Sequence, residues 1–343
     1  MLITEFDYEL PSELIAQQPL ERREASRMMV VDRAEQTFTD REFIDLPEYL
    51  MAGDVLVLNN TKVFPARLIG RSETGAEIEI FLVRELDNAC WETLARPAKR
   101  LPVGKKIHFG AGLTATVVEK QTDGKVIVEF ESAGSLEDLI DQIGKTPLPP
   151  YIKREQAAID RDRERYQTVF ASERGAIAAP TAGLHFTPQV LESIRNKGVT
   201  TAEITLHVGY GTFEPVRVDD LAEHSVAAER CTISDETAEL LETARDDGRR
   251  IIAVGTTTTR ALETTMGKYG TFISGSHLAD LTITPGCKFR AIDGLLTNFH
   301  LPKSSLLVLT STFGGHQLIM RAYRRAVAQK YRFYSYGDCM LIK

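Results

Sequence analysis

Between Val63 and about Ser132 the chain is written in short alternating apolar runs: AEIEIFLVREL, CWETLA, KKIHF, LTATVVE and KVIVEF. Turn residues separate them at Thr74-Gly75, Asp87-Asn88, Val103-Gly104 and Asp123-Gly124. A period of two, broken by Gly and Asp at such spacing, predicts a small antiparallel barrel or sandwich. The flanks read differently. Upstream, SRMMVVD (Ser26–Asp32) and DVLVLN (Asp54–Asn59) predict strands, and residues 41–51 predict a short helix. Downstream of a brief helix (135–144) and a rigid exit at Pro147, Pro149 and Pro150, strands and helices alternate. Residues 176–179, 201–208 and 250–254 predict strands, and 234–246 and 316–330 predict helices. Thr187-Pro188 predicts an N-cap with proline at the first helical position, and Gly198 a helix end. The economical layout is an α/β domain built from both chain ends, residues 1–62 and 149–343. A small antiparallel β-barrel domain, residues 63–148, is inserted in it.

The 343 residues suit two domains at about 150 each. With 43% hydrophobic and 26% charged residues, the composition excludes a disordered chain. No apolar run approaches the roughly 20 residues that span a bilayer, and Met1–Pro11 is acidic, unlike a secretory leader. Cys90, Cys231, Cys287 and Cys339 are scattered without a C-x-x-C pair, so neither a disulfide framework nor a zinc ribbon is expected. The histidines show no metal-ligand spacing, so no metal is expected. These features predict a cytoplasmic protein. The net charge is −7, yet residues 264–343 carry ten Lys/Arg against three acids, a local +7. Such asymmetry fits a polyanion-facing surface on an acidic body, or equally a solvated basic helix.

Five segments place small polar residues where a strand meets a loop, the usual ligand position in open α/β sheets. Pro180–Thr187 (PTAGLHFT) offers Thr181, Gly183 and His185 ahead of the capped helix. His207–Phe213 (HVGYGTF) offers Gly209 and Gly211 for close backbone approach and Phe213 for stacking, without the third glycine of a dinucleotide site. Val254–Arg260 (VGTTTTR) offers Gly255, Thr256, Thr257 and Arg260 to an anion, without a Walker lysine. Asp293–Ser304 packs Asn298, His300 and Lys303 beside apolar runs. Tyr331–Asp338 interleaves aromatics with Arg332, just after a helix carrying Arg321, Arg324 and Arg325 on one face. That pairing of cations and rings suits splayed RNA bases. A structural use of each segment stands beside the functional one, since capping, tight turns and core aromatics explain parts of all five.

Taken together, FDYELPSELIAQQP, GDVLVLNNTKVFPARLIG, WETLARPAKRL, YQTVFA, AAPTAGLHFT, TLHVGYGTF, VGTTTTRALE, DGLLTNFHLPKSSLL and YRFYSYGDCMLI stand here in one order. The chain thereby resembles the S-adenosylmethionine:tRNA ribosyltransferase-isomerase family of queuosine biosynthesis from Phe6 to Ile342. One stretch departs. Where the family shows His-x-Met-His-x-Glu, this chain has His224-Ser225-Val226-Ala227-Ala228-Glu229. The resemblance implies an α/β fold with an inserted barrel. It also implies transfer and isomerisation of the ribosyl part of S-adenosylmethionine onto 7-aminomethyl-7-deazaguanine at the wobble position of a GUN-anticodon tRNA. Adenine and methionine would leave, with epoxyqueuosine in the RNA. S-adenosylmethionine is then a substrate, and neither a prosthetic group nor a stable protein partner is implied. A methyltransferase acting on RNA and a non-catalytic RNA-binding module are the competing classes. The first lacks its Gly-rich turn here, and the second leaves the polar loops idle.

On this resemblance His185 is expected to remove a proton at the 5′ carbon, with its pKa lowered by a helix N-terminus. His300 is expected to donate toward departing groups, with Asp338 and Glu229 as alternative bases. Thr181, Gly183, Gly209, Gly211, Phe213, Gly255, Thr256, Thr257 and Asn298 are expected around the cofactor-like substrate, and Arg260 on its carboxylate. Lys303, Arg321, Arg324, Arg325 and Arg332 are expected on the tRNA, with Lys330. Lys99 and Arg100 join them, in an acid-free run with Arg96, Lys105 and Lys106.

Overall fold

The structure, a computed structural model, describes residues 1–87, 89–98, 101–152, 159–209 and 216–343. Nine strands form one mixed sheet. Across it run β15 (Gly275–Ala279), β13 (Glu229–Ile233), β12 (Thr200–Leu206), β3 (Val55–Asn59), β14 (Ile251–Val254), β16 (Gly294–Asn298), β17 (Cys339–Ile342), β1 (Arg27–Asp32) and β2 (Thr37–Glu42). The central four, β12-β3-β14-β16, are parallel, so their carboxyl ends open on one edge. The C-terminal β17 lies between β16 and β1, antiparallel to the first and parallel to the second. Both chain ends thus complete the same sheet.

Both faces of the central strands are buried, as a sheet covered on two sides requires. In β3, Val55 and Val57 face one core while Leu56 and Leu58 face the other. The first core is closed by α4 (Asp235–Asp246), α5 (Thr256–Tyr269), α6 (Ser305–Gly314) and α7 (His316–Ala328). The second is closed by α3 (Pro188–Asn196) and the segment around Phe43, Leu46 and Leu50. Thr187 caps α3 by accepting from Val190 N at 3.3 Å, with Pro188 opening the helix.

Two local expectations are corrected. Residues 41–51 are not an α-helix: β2 runs through Glu42, and Phe43–Tyr49 is a 3-10 turn. Its apolar residues keep helical spacing, but Pro47 inside it cannot donate to an α-helical ladder. The strand expected at 176–179 is β11 (Glu173–Ala176), which pairs with β4 (Thr61–Val63) away from the large sheet. Ile177–Ala179 continue as buried, unpaired chain toward Pro180.

The barrel is closed. Its strands β5 (Arg67–Ser72), β6 (Glu77–Asp87), β7 (Cys90–Arg96), β8 (Lys106–Gly110), β9 (Leu113–Lys120) and β10 (Val126–Ser132) follow the order β10-β7-β6-β5-β8-β9, all antiparallel. In β6, Ile78, Ile80 and Leu82 fill the interior while Glu77 and Glu79 point outward, the period of two read from the sequence. Closure removes the free edges such a small sheet would otherwise expose. After it come α1 (Leu136–Ile143), capped by Ser135, and α2 (Ile159–Arg165). No helix among the described residues is long and apolar enough to cross a membrane. The four cysteines are free thiols.

Candidate active site

The carboxyl ends of the parallel strands open into a cleft of ≈ 560 Å³. At the end of β14 the chain turns through Gly255 at φ +92, a backbone angle that excludes most side chains, and α5 starts at once. The first-turn threonines divide their work. Thr258 Oγ1 donates to Val254 O at 2.7 Å and Thr259 Oγ1 to Gly255 O at 3.1 Å, both turned back into the helix. Thr256 and Thr257 face the cleft. Thr257 Oγ1 is buried and has no hydrogen-bond partner among the described residues. A hydroxyl left this way at a helix N-terminus is a ready ligand group.

The next parallel strand, β16, delivers Thr297, Asn298 and His300 to the same cleft. His300 Nε2 lies 2.9 Å from Thr297 Oγ1, and its main-chain N–H donates to the Tyr323 hydroxyl at 3.0 Å. Tyr8 donates to the His300 carbonyl from the other side. Burial pushes the His300 imidazole down to about 3, so it stands neutral in the cleft.

His185 does not line this cleft. It ends the 3-10 turn Thr181–His185, and both ring nitrogens are engaged: Nδ1 with Ser26 Oγ at 2.7 Å, Nε2 with Asn298 Oδ1 at 3.1 Å. Asn298 in turn donates to the carbonyls of Tyr334 (2.8 Å) and Ser335 (3.3 Å). His185 therefore touches the cleft through Asn298. Its pKa falls to about 4, in the direction expected from the sequence but for another reason. Burial dominates, opposed by the Asn298 bond and reinforced by the charges of Arg332 and Arg23. From the same turn Thr181 reaches the cleft, whereas Gly183 serves packing. A Cβ on Gly183 would sit 2.8 Å from both Phe170 and Thr168.

The wall opposite is aromatic. Tyr151, Tyr166 and Tyr334 line the cleft, the rings of Tyr151 and Tyr334 meeting edge to face at 3.9 Å, and the Tyr151 hydroxyl bonds Ser335 Oγ. Desolvation raises all three phenols, so they stay neutral. The first two were missed in the sequence. Tyr151 follows the proline run and Tyr166 opens YQTVFA, so neither belongs to a polar cluster; only the tertiary fold brings them here.

Several expected residues lie elsewhere. Arg260 is 7% exposed and paired with Glu229 of β13, and donates further to Ala227 O at 3.2 Å. Glu229 also accepts from Gly209 N at 2.8 Å. Arg260 is thus charge-paired within the protein through Nη2, although its Nε has no hydrogen-bond partner among the described residues, and Glu229 is not a free base. The main-chain carbonyl of Ala227, where the family pattern has its second histidine, helps hold Arg260. Asp338 accepts from the main chain of Arg27 (3.0 Å) and Arg332 (2.8 Å), tying the last strand to the first. Lys303 pairs with Asp7 at 2.6 Å, Arg325 pairs with Asp40, and Arg321 donates to Gln36 O at 3.4 Å. Arg324 is exposed on the same helix, and Arg332 donates to Gln18 O. Lys99, Arg100, Gly211 and Phe213 lie outside the described residues. No cluster of metal-ligating side chains occurs among the described residues.

A mixed α/β sheet with a closed barrel and a neutral, donor-rich cleft at its carboxyl edge defines a small-molecule-binding enzyme fold. The chain belongs to the queuosine biosynthesis protein family, whose model matches residues 3–342. It is 51% identical to the S-adenosylmethionine:tRNA ribosyltransferase-isomerase of Syntrophotalea carbinolica and 50% identical to that of Symbiobacterium thermophilum, over the full length of each. The crystal structure of S-adenosylmethionine tRNA ribosyltransferase from Thermotoga maritima matches 99% of the chain and 100% of its own, at 38% identity and a TM-score of 0.56.

Proposed function

We propose that the chain is a tRNA-modifying transferase and isomerase of queuosine biosynthesis. It moves the ribosyl part of S-adenosylmethionine onto 7-aminomethyl-7-deazaguanine in tRNA, giving epoxyqueuosine with loss of adenine and methionine. The observation that carries the reading is the meeting of four distant segments at one cleft: Thr181, Gly255–Thr257, Thr297–His300 and Tyr334-Ser335. Tyrosine faces suit a sulfonium cation by cation–π contact and a nucleoside by stacking, and neutral hydroxyls suit its ribose. The wobble position of a GUN anticodon, a cytoplasmic location and a division into 1–62 plus 149–343 and 63–148 complete the proposal.

The geometry favours His300 over His185 for proton transfer with the substrate. A sulfonium acidifies the protons of the adjacent 5′ carbon, and a buried, neutral imidazole offers a lone pair. His185, bonded at both nitrogens, orients Asn298. The carboxylate of the methionine part falls to the N-terminus of α5 and the Thr257 hydroxyl, since Arg260 is already paired. The test is product analysis with S-adenosylmethionine and tRNA bearing the aminomethyl base. Free adenine with epoxyqueuosine in the RNA supports the reading; S-adenosylhomocysteine would indicate a methyltransferase, and neither product a binding module.

A further inference from the structure

A second cleft, of ≈ 310 Å³, lies beside the first and shares Ser335 with it. Three arginines from distant parts of the chain line it: Arg23, Arg165 at the end of α2, and Arg332. Each is fixed by main-chain carbonyls. Arg23 donates to Gln167 O (2.6 Å) and Glu164 O (3.1 Å), Arg165 to Glu21 O (3.0 Å) and Leu20 O, and Arg332 to Gln18 O. Among the described residues none has a carboxylate within ion-pair distance. The nearby Asp338 is spent on two main-chain N–H groups. Arg165 Nε and Arg332 Nη1 are buried without a hydrogen-bond partner among the described residues.

Gathering three guanidinium groups against Pro19, Leu20 and Leu184 is costly when only carbonyls bond them directly and Glu164 and Asp338 act on Arg23 and Arg332 at a distance. Carbonyl-held arginines occur elsewhere, at Arg33 and Arg249, and carboxylate-paired ones at Arg260 and Arg325; what distinguishes these three is that they line one cleft together. A pocket with three held forks, none bonded to a carboxylate among the described residues, suits an anion from outside. The two coplanar oxygens of a carboxylate are answered by one such fork, whereas the tetrahedral phosphorus of a phosphodiester directs free and ester oxygens in several directions and suits convergent arginines. The shared Ser335 and the His185–Asn298 bond place this pocket one side chain away from the candidate active site. We propose that Arg23, Arg165 and Arg332 hold a backbone phosphate of the RNA flanking the nucleotide under modification. The inference rests on the tRNA-modifying reading. Its effect is to fix the register of the RNA so that only one base enters the neighbouring cleft.

The experiment uses the full-length protein and an anticodon stem-loop RNA carrying the aminomethyl base. Single neutral methylphosphonates replace the phosphate 5′ or 3′ of that base, and binding and adenine release are read separately. One of the two replacements is expected to weaken RNA binding about tenfold or more, as loss of a charge-assisted bond implies. In Arg332→Gln the unmodified RNA should bind correspondingly less well, and the same methylphosphonate should then cost nothing further. The S-adenosylmethionine KM should stay put. Methylphosphonates tolerated within twofold at both positions overturn the phosphate site, and the scan on unaltered protein decides this even if the variant fails to fold. A rise in the S-adenosylmethionine KM of Arg332→Gln would make the pocket a carboxylate site instead. Absence of adenine release with unmodified RNA would count against the functional reading, whatever the binding data show.

Discussion

The two clefts that meet at Ser335 are lined by opposite chemistry. One presents hydroxyls, amide groups, tyrosine faces and a neutral imidazole; the other presents three arginines. Between them stands a wall of Ser26, His185, Asn298 and Ser335, stitched at 2.7–3.3 Å. The reaction proposed joins a sulfonium-bearing small molecule to a polyanion. A cleft without formal charge admits the cation, and an arginine pocket would repel it while attracting RNA. Keeping the two fields apart by a neutral wall lets one protein accept both. Arg260 supplies the control: it too lies near the first cleft, but Glu229 cancels its charge.

The comparison breaks most visibly if the neutral cleft does not hold the chemistry. His300→Ala should lower kcat by roughly 10²–10⁴-fold, the usual range for a lost proton-transfer group. Affinity for RNA should change little, because His300 does not line the arginine pocket. Steady-state kinetics and stem-loop binding on the same preparation check both halves. A kcat within a few-fold of wild type would remove His300 from the chemistry.

The control arginine comes next. Glu229→Ala leaves Arg260 buried and unpaired, and should cost about 3–5 kcal/mol of stability. Replacing both with apolar residues should recover much of that. Denaturant unfolding of the single and the double variant measures it. The arginines of the second cleft should behave otherwise, since none is bonded to a carboxylate among the described residues and Asp338 keeps its two main-chain donors. A large stability loss in Arg332→Gln, matching that of Glu229→Ala, would reduce the contrast between the two kinds of arginine.

Part of this was legible in the sequence. The barrel could be read because β6 and its neighbours alternate with period two between Gly and Asp turns, a purely local signal. The cleft could be read in part because Gly255, Thr257, Asn298 and His300 follow apolar strands, and strand ends in a parallel sheet share an edge. Pairing was not legible. Nothing local in VGTTTTR shows that Arg260 meets Glu229, 31 residues earlier, or that Thr258 and Thr259 turn inward while Thr257 does not. Likewise Arg23 and Arg165 lay outside every polar cluster, and only the packing of α2 against residues 20–23 brings them to Arg332. The cause of the His185 shift was misread for the same reason: burial is a property of the whole fold, whereas a helix end can be seen in eight residues.

The wall can be probed by pH. The His185 pKa falls from the ordinary 6.5 to about 4 in the folded protein, so the unfolded chain takes up the proton first as pH drops. Its contribution is complete above pH 6.5, is lost between 6.5 and 4, and levels off below, amounting to on the order of 3 kcal/mol. His185→Gln should flatten that part of the stability–pH curve. Because the charges of Arg332 and Arg23 add to the lowering, Arg332→Gln should raise the His185 pKa, read by NMR of the imidazole. His300, lowered by burial alone, should not move. Equal shifts at both rings would mean that the wall does not separate the two fields.

The smallest effect expected is at Thr257, and there the sign matters more than the size. Its hydroxyl is buried with no partner among the described residues, which penalises the folded protein until something binds. Thr257→Val keeps the branched shape and removes the unsatisfied group. The free protein should therefore gain stability, by up to about 1 kcal/mol, while the S-adenosylmethionine KM rises roughly five- to tenfold for the lost bond. RNA affinity, governed by the other cleft, should be unchanged. Thr257→Ser, which retains the hydroxyl, should hold the KM near wild type. Opposite movements of stability and substrate binding are the mark of a group kept in waiting for a ligand. If Val instead lowers both together, the threonine is packing, and the carboxylate of the substrate must be held elsewhere on the α5 turn.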